Sequence, residues 1–518
     1  MKNNLLFVSL FFFVACKKEI PVLAPQAANI STPNAVATSL AATAVPTGTY
    51  NVKDQGAKGD GVADDTKAIR NALLYAKAHG IANVYFPDGS YMIGETGNGG
   101  GIIKLVDGVG MIGNGPATCH IKLTGGRYNP NSIFYQDYTG TPSVGNLIIQ
   151  GIDFNGTLAL QKFDASYQFC HALSINNGKN IEVKNCKFQS FRGDGLLFGD
   201  CFETQLNLHI VSNVNVHDSE FFNIYREGTM FCAVNGASFY NNNVHGDGYL
   251  VGGVDIERHS VNETVLNVSV YNNIFNFADG YGPAERGGLK ARYRRAVTMG
   301  FFYTGYKNGI ADSLSGHHKI YNNKIYQGQI DCWGMINISI SGNSFTNTYE
   351  NITGIQFLTA PAINIADPST TKGLIKVSVD NNIIKSAMGN GIMFNNYTQT
   401  QANANVISGT PADAIVILST SGYFYGNNIT DAGTILKPAA GFVVSGNSSG
   451  LEIVANQASN TTSGQLRTMD YVVKIVSANN GKVAPKVVNN KGHNMITGIV
   501  SVYWLQATFV QLLNNLAN

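Results

Sequence analysis

One eight-residue pattern of apolar and polar positions recurs along the chain: apolar, any, apolar, any, then Asn, Asp or Gly with a small polar partner, any, apolar. It reads LIIQGIDF at Leu147–Phe154, IEVKNCKF at Ile181–Phe188 and VNVHDSEF at Val214–Phe221. Copies follow from Ala237 (ASFYNNNV), Val268 (VSVYNNIF), His318 (HKIYNNKI), Ile338 (ISISGNSF), Val377 (VSVDNNII) and Gly422 (GYFYGNNI), with a decayed one from Phe442 (FVVSGNSS). The alternation predicts a strand with one buried face. The polar pair predicts a bend, because Asn and Gly accept left-handed backbone angles, and the apolar residue after it opens another short strand. Successive copies lie 20 to 50 residues apart; the shortest gaps suit one turn of a solenoid, and the longer ones are coils that carry loops. Stacked Asn side chains can bond from coil to coil.

A second repeat shares this register. Gly, apolar, any, apolar occurs at Gly195–Phe198, Gly228–Phe231, Gly253–Ile256, Gly354–Phe357 and Gly391–Phe394. The first two copies are 33 residues apart, as are the bends that precede them at Ile181 and Val214. Two faces of one coil account for this. The chain is therefore expected to be all-β, a right-handed parallel β-helix.

Composition agrees. Charged residues are only 13% of the 518, and glycine is abundant at 57, a balance that disfavours helices with wet Lys- and Glu-rich faces. The net charge of +2 gives no electrostatic case for nucleic acid. At the start, Lys2 precedes an apolar run, Leu5–Ala15, too short to span a bilayer. With Ala15 before Cys16, residues 1–16 look like a lipoprotein signal with Cys16 acylated. Residues 17–48 then form an Ala-, Pro-, Ser- and Thr-rich tether, and the β-helix occupies 49–518. This predicts a cell-envelope lipoprotein, at the outer membrane or cell surface, touching membrane through its lipid anchor only. Cys119, Cys170, Cys186, Cys201, Cys232 and Cys332 have no metal-ligand spacing, and most are expected as buried free thiols.

The segment Tyr50–Gly94, YNVKDQGAKGDGVADDTKAIRNALLYAKAHGIANVYFPDGSYMIG, resembles the N-terminal entry of the pectate-lyase-like β-helix superfamily. That superfamily includes polygalacturonases, rhamnogalacturonases, several lyases and phage tailspikes. The residues agree: Gly56, Gly59 and Gly61 make a tight loop, Asp64 or Asp65 caps a helix, and Ile69, Ala72, Leu73 and Ala76 fall on one helix face. Asp60, Asp64 and Asp65 are given structural roles in that loop and cap. The resemblance implies the fold but not the reaction, because the clustered aspartates, Gly-His-Gly and Arg-x-Lys of polygalacturonases do not occur here in order.

Two constellations carry candidate chemistry. In the 33-residue register Asp194 aligns with Glu227, and in the next coil Asp255 and Glu257 should face outward between the inward Val254 and Ile256. Four acids on three coils about 4.8 Å apart would line a groove. Paired carboxylates suit glycoside hydrolysis, and crowding would raise the pKa of one of them. These four are the candidate catalytic residues. No dedicated metal ligands or required cofactor are expected, with Ca²⁺ as an alternative occupant of the acids. The second constellation is the basic stretch Arg286, Lys290, Arg292, Tyr293, Arg294 and Arg295, followed by His317 and His318. A long basic loop on a rigid solenoid would seize an acidic sugar. The leading expectation is a secreted polysaccharide-degrading glycoside hydrolase. The alternatives are a lyase acting on a uronate-containing glycan and a non-catalytic surface glycan binder.

Overall fold

The computed structural model describes residues 47–517 apart from 95–100, 125–130, 137–142, 161–168, 200–208, 247–251, 261, 278–294, 302–313, 348–360, 367–375, 388, 398, 436–438, 447, 449, 462–468, 477–484, 496, 503–510 and 514. The signal segment with Cys16, the tether, and Arg286, Lys290, Arg292, Tyr293 and Arg294 lie outside the described residues.

The alternating segments are strands and the polar pairs are turns. One coil runs through Gly178–Lys184, Lys187–Gln189 and Leu196–Phe198, then returns at Val211–His217 beside its own first strand. Ile181 pairs with Val214, Phe188 with Phe221 and Leu196 with Thr229, all parallel, so the 33-residue register read from the two repeats is the register of the coils. Repetition builds three parallel sheets of 17, 16 and 14 strands, called A, B and C here. This is the right-handed parallel β-helix. Its interior is filled by one face of every strand; Phe154, Phe188 and Phe221, for example, stack with centroids 5.1 Å apart.

The polar pair works as two separate devices between sheets A and B. Its first residue takes left-handed backbone, as at Asn185, Asp218, Asn241, Asn272, Asn322, Gly342 and Asn381, with φ between 48° and 65°. Its second residue turns inward. Asn242, Asn273, Asn323, Asn343, Asn382, Asn405, Asn427, Asn456 and Asn490 are buried, and each Oδ1 from Asn273 on accepts from both the backbone N–H and the Nδ2 of the previous rung. Ser219 and Cys186 continue this column toward the N-terminus through Ser219 N–H and Oγ.

At the entry, the helix Thr66–Ala78 buries Ile69, Ala72, Leu73 and Ala76. Asp65 stands at its N-cap position, but its carboxylate turns back to the N–H groups of Lys58 and Gly59 at 2.6 and 3.1 Å. Asp64 takes over the cap by accepting from Thr66 N–H at 3.0 Å, and Asp60 accepts from Val62 and Ala63 at 2.9 and 2.8 Å. These aspartates build the loop and cap. Cys119, Cys170, Cys186 and Cys332 are buried free thiols, whereas Cys232 is in a disulfide.

His318 requires a correction. His318 is completely buried in sheet A's inward column, where the adjacent coils have Val268 and Ile338. Its Nδ1 accepts from Val268 N–H at 3.2 Å, and burial pushes its pKa down to about 3. A sealed, neutral ring cannot grip an acidic sugar. His317 sits in a left-handed turn (φ 58°), its Nε2 3.3 Å from Asn337 Nδ2, and belongs to the same sheet.

Candidate active site on sheet C

Sheet C brings the four acids together. Asp194 N-terminally flanks the strand Leu196–Phe198; Glu227 opens the strand Glu227–Phe231; Asp255 and Glu257 lie on the strand Gly252–Arg258. Val254 and Ile256 are fully buried, which turns Asp255 and Glu257 to the outer face. Met230 pairs with Asp255, and Glu227 with Gly252. The glycine there is required for space: a Cβ at 252 would stand 1.8 Å from Glu227 Oε2. The Glu227 carboxyl thus lies across the backbone of the next coil, beside Asp255.

The four acids are not equivalent. Asp194 is fully buried, and burial opposes its ionisation, but Arg226 and His171 outweigh this and hold its pKa below the ordinary carboxylate value. Its Oδ1 accepts from Glu227 N–H at 3.1 Å and lies 3.6 Å from Arg226 Nε; His171 Nδ1 is 3.2 Å from Oδ2. Asp194 is therefore a positioning group that fixes the start of the Glu227 strand. It does not reach a substrate, which corrects its expected catalytic role.

Glu227 is half-buried, and burial followed by the charge of Asp194 pushes its pKa up to about 7. Asp255, 8% exposed, is held well above the ordinary value by burial and then by Glu257 and Glu227. Among the described residues, Asp194 Oδ2, Glu227 Oε2 and Asp255 Oδ1 are buried without a hydrogen-bond partner. At Glu227 and Asp255, where burial raises the pKa, such an atom is a place for a proton that can be donated. Glu257 is more open, and its Oε2 is 3.2 Å from His259 Nε2. Among the described residues no group of three or more His, Cys, Asp or Glu side chains is arranged to hold a metal ion.

The sheet extends this surface beyond the four acids. Asp255 pairs with Thr298 and Thr298 with Asp331, so one outer column runs Met230, Asp255, Thr298, Asp331, Asn364. Arg295, the last cation of the basic stretch, places its Nε 3.2 Å from Asp331 Oδ2 and lowers the pKa of Glu227 against the other influences. His171, His259, Asp331 and Trp333 were absent from the sequence expectation. The run Ile330-Asp331-Cys332-Trp333 has the same inward-outward alternation as Val254-Asp255-Ile256-Glu257, and that signal was available.

Residues 49–274 match the family model for rhamnogalacturonase A/epimerase, pectate lyase-like proteins. The chain is 29% identical over 204 residues to mannuronan C5-epimerase AlgE3 of Azotobacter vinelandii, covering 38% of this chain and 11% of that one. It is 45% identical over 80 residues to alginate lyase 7 of the same organism, covering 15% and 9%. The chain thus spans about a tenth of the length of these curated relatives. Among solved structures, the A-module of mannuronan C5-epimerase AlgE6 from Azotobacter vinelandii superposes with a TM-score of 0.51 at 16% identity, covering 90% of this chain and 99% of that one. That likeness is one of fold.

Proposed function

We propose that the chain, whose residues 49–274 match the rhamnogalacturonase A/epimerase, pectate lyase-like family model, is an enzyme acting on a uronate-containing polysaccharide by chemistry that begins with loss of the proton at C5. The observation that carries this reading is the pair of proton-holding carboxyls, Glu227 and Asp255, beside Arg226 and Arg295 on the outer face of sheet C. A C5 proton next to a carboxylate is acidic enough to remove only if the developing negative charge on that carboxylate is met by donors. Protonated Glu227 and Asp255 supply donors, and the two arginines supply charge. Glu257, tied to His259, is the group we assign to take the proton.

Two outcomes follow from the same anion. Return of a proton to the opposite face inverts C5 and leaves the chain intact. Expulsion of the glycosidic oxygen at C4 forms the C4–C5 double bond and cuts the chain. The sequence relatives named mannuronan C5-epimerase and alginate lyase support this class of reaction. Hydrolysis is the second reading, favoured by one observation: a carboxyl with pKa near 7 is suited to protonate a leaving oxygen. In that case Glu227 is the acid and Glu257 the base, since Asp194 is sealed. We further propose that the protein is held at the cell envelope through Cys16.

The test is incubation with polymannuronate, polyguluronate and polygalacturonate in deuterated water, following deuterium at C5, ultraviolet absorbance of unsaturated ends, and reducing ends. Deuterium uptake or absorbance is expected, and Glu257→Gln, which removes the assigned base, should lose it by at least a hundredfold. Reducing ends without either signal would replace the proposal with hydrolysis. Binding with no change in any of the three would leave a glycan-binding protein.

A further inference from the structure

We propose that Glu263 is a positioning residue for the reaction. From a buried seat it holds the His259 ring, which fixes Oε2 of Glu257 and leaves Oε1 as the oxygen that takes the proton. The inference rests on the reading of Glu257 as the base and names what places that base.

The strand that carries Asp255 and Glu257 runs on to Arg258, and the chain then turns sharply. Arg258 Nε donates to Ser260 O at 3.0 Å, and the Glu263 N–H donates to the same oxygen at 3.3 Å. The turn returns Glu263, which is completely buried, to His259, where its Oε2 accepts the His259 backbone N–H at 2.7 Å. The same Oε2 lies 4.0 Å from His259 Nδ1. Sγ of the disulfide-bonded Cys232 lies 3.7 Å from that nitrogen. At the other edge of the ring, Nε2 is 3.2 Å from Glu257 Oε2. A buried imidazole thus bridges an acid sealed inside the protein and an acid on the outer face.

The roles follow from what each group can do. An ionised carboxylate only accepts, so the Nε2 that faces Glu257 carries a hydrogen and donates it. That bond occupies Oε2 and sets the plane of the carboxylate. The C5–H bond then breaks toward Oε1: its electron pair stays on C5 and spreads into the adjacent sugar carboxylate, and an O–H bond forms on Glu257. The turn itself asks only for an acceptor at the His259 N–H, which an amide oxygen would supply. A carboxylate at position 263 adds negative charge behind the ring, where burying a charge is costly unless it acts on a partner. Away from water that charge acts strongly on the nearby imidazole and strengthens Nε2–H as a donor. Glu263 does not reach the substrate; it acts through His259.

The full chain carrying Glu263→Gln, His259→Gln or both would be assayed for kcat and KM on polymannuronate, polyguluronate and polygalacturonate. Deuterium at C5, unsaturated ends and reducing ends would be followed, with melting temperatures alongside. Glu263→Gln keeps an acceptor for the His259 N–H and removes only the charge, so a purely structural role predicts the wild-type kcat. The positioning role predicts a kcat about tenfold lower, with KM within about twofold of wild type. His259→Gln should lose at least as much, and adding Glu263→Gln to it should cost nothing further, because the two act in series. If Glu263→Gln does not fold, Glu263→Asp, which keeps the charge but withdraws it from the ring, replaces it under the same two criteria. A wild-type kcat in the folded variant, or losses that multiply in the double variant, would overturn the positioning and leave the C5 chemistry standing. Release of reducing ends alone, with the same sensitivity to the variants, would uphold the positioning of Glu257 and replace the C5 chemistry with hydrolysis. No reaction of the wild type on any polymer would overturn both.

Discussion

At the scale of single residues, the site is a competition between burial and neighbouring charge, settled differently at each acid. Asp194 and Glu227 share one register and adjoin the same arginine, yet the Asp194 pKa is lowered and that of Glu227 is raised to about 7. The difference is that Asp194 Oδ1 lies 3.6 Å from Arg226 Nε and accepts from Glu227 N–H, whereas Glu227 is opposed by burial and faces the charge of Asp194. The pH dependence follows. Glu227 titrates near 4.5 when unfolded and near 7 in the fold. As pH rises from 4.5 to 7 the unfolded chain loses this proton while the folded chain keeps it, so stability falls across that window and levels off above it. Glu227→Gln should flatten this fall, measured as melting temperature against pH. His318 acts on the acid side. Its pKa falls from 6.5 to about 3 on burial, so stability is lost as pH drops below 6.5, and His318→Val should make that acid limb less steep. Gly252→Ala should cut turnover at least tenfold without unfolding, because the new methyl must displace the Glu227 carboxyl; activity equal to wild type would show that the placement of that carboxyl is unimportant.

At the scale of elements, legibility followed the repeat. Strands, bends and the 33-residue register could be read because apolar alternation and the polar pair are local signals, and they placed Asp255 and Glu257 on the outer face. Asp194 was aligned correctly and misjudged in role, since its sealing depends on His171, a residue from another strand 23 positions earlier. His318 occupies the first inward position of HKIYNNKI, so its place in the repeat and not its titratable ring decides its surroundings. Trp333 and Asp331 were missed because the long spacing between Val268 and His318 interrupts the register just before them. The same pattern concealed how much the second Asn of each pair contributes. Asn343 accepts from Asn323 N–H and Nδ2 and donates Nδ2 to Ile320 O and Asn382 Oδ1, all while fully buried. Asn343→Ala strands several of these groups and should cost about 3 kcal/mol in urea unfolding. A loss below about 1 kcal/mol would mean that water replaces the amide.

At the scale of the molecule, each coil touches only its neighbours, so stability accumulates along one dimension while the site draws on coils spanning Asp194 to Trp333. Every rung of the Asn column is also oriented the same way: Oδ1 accepts from the coil before and Nδ2 donates to the coil after, from Asn242 to Asn490. Backbone bonds in the sheets alternate in sense and largely cancel, but these amides do not. Their dipoles add head to tail, with the negative pole toward the entry helix and the positive pole toward the last coils. The solenoid is thus a polarised rod whose two ends differ in kind, although the chain as a whole is nearly neutral.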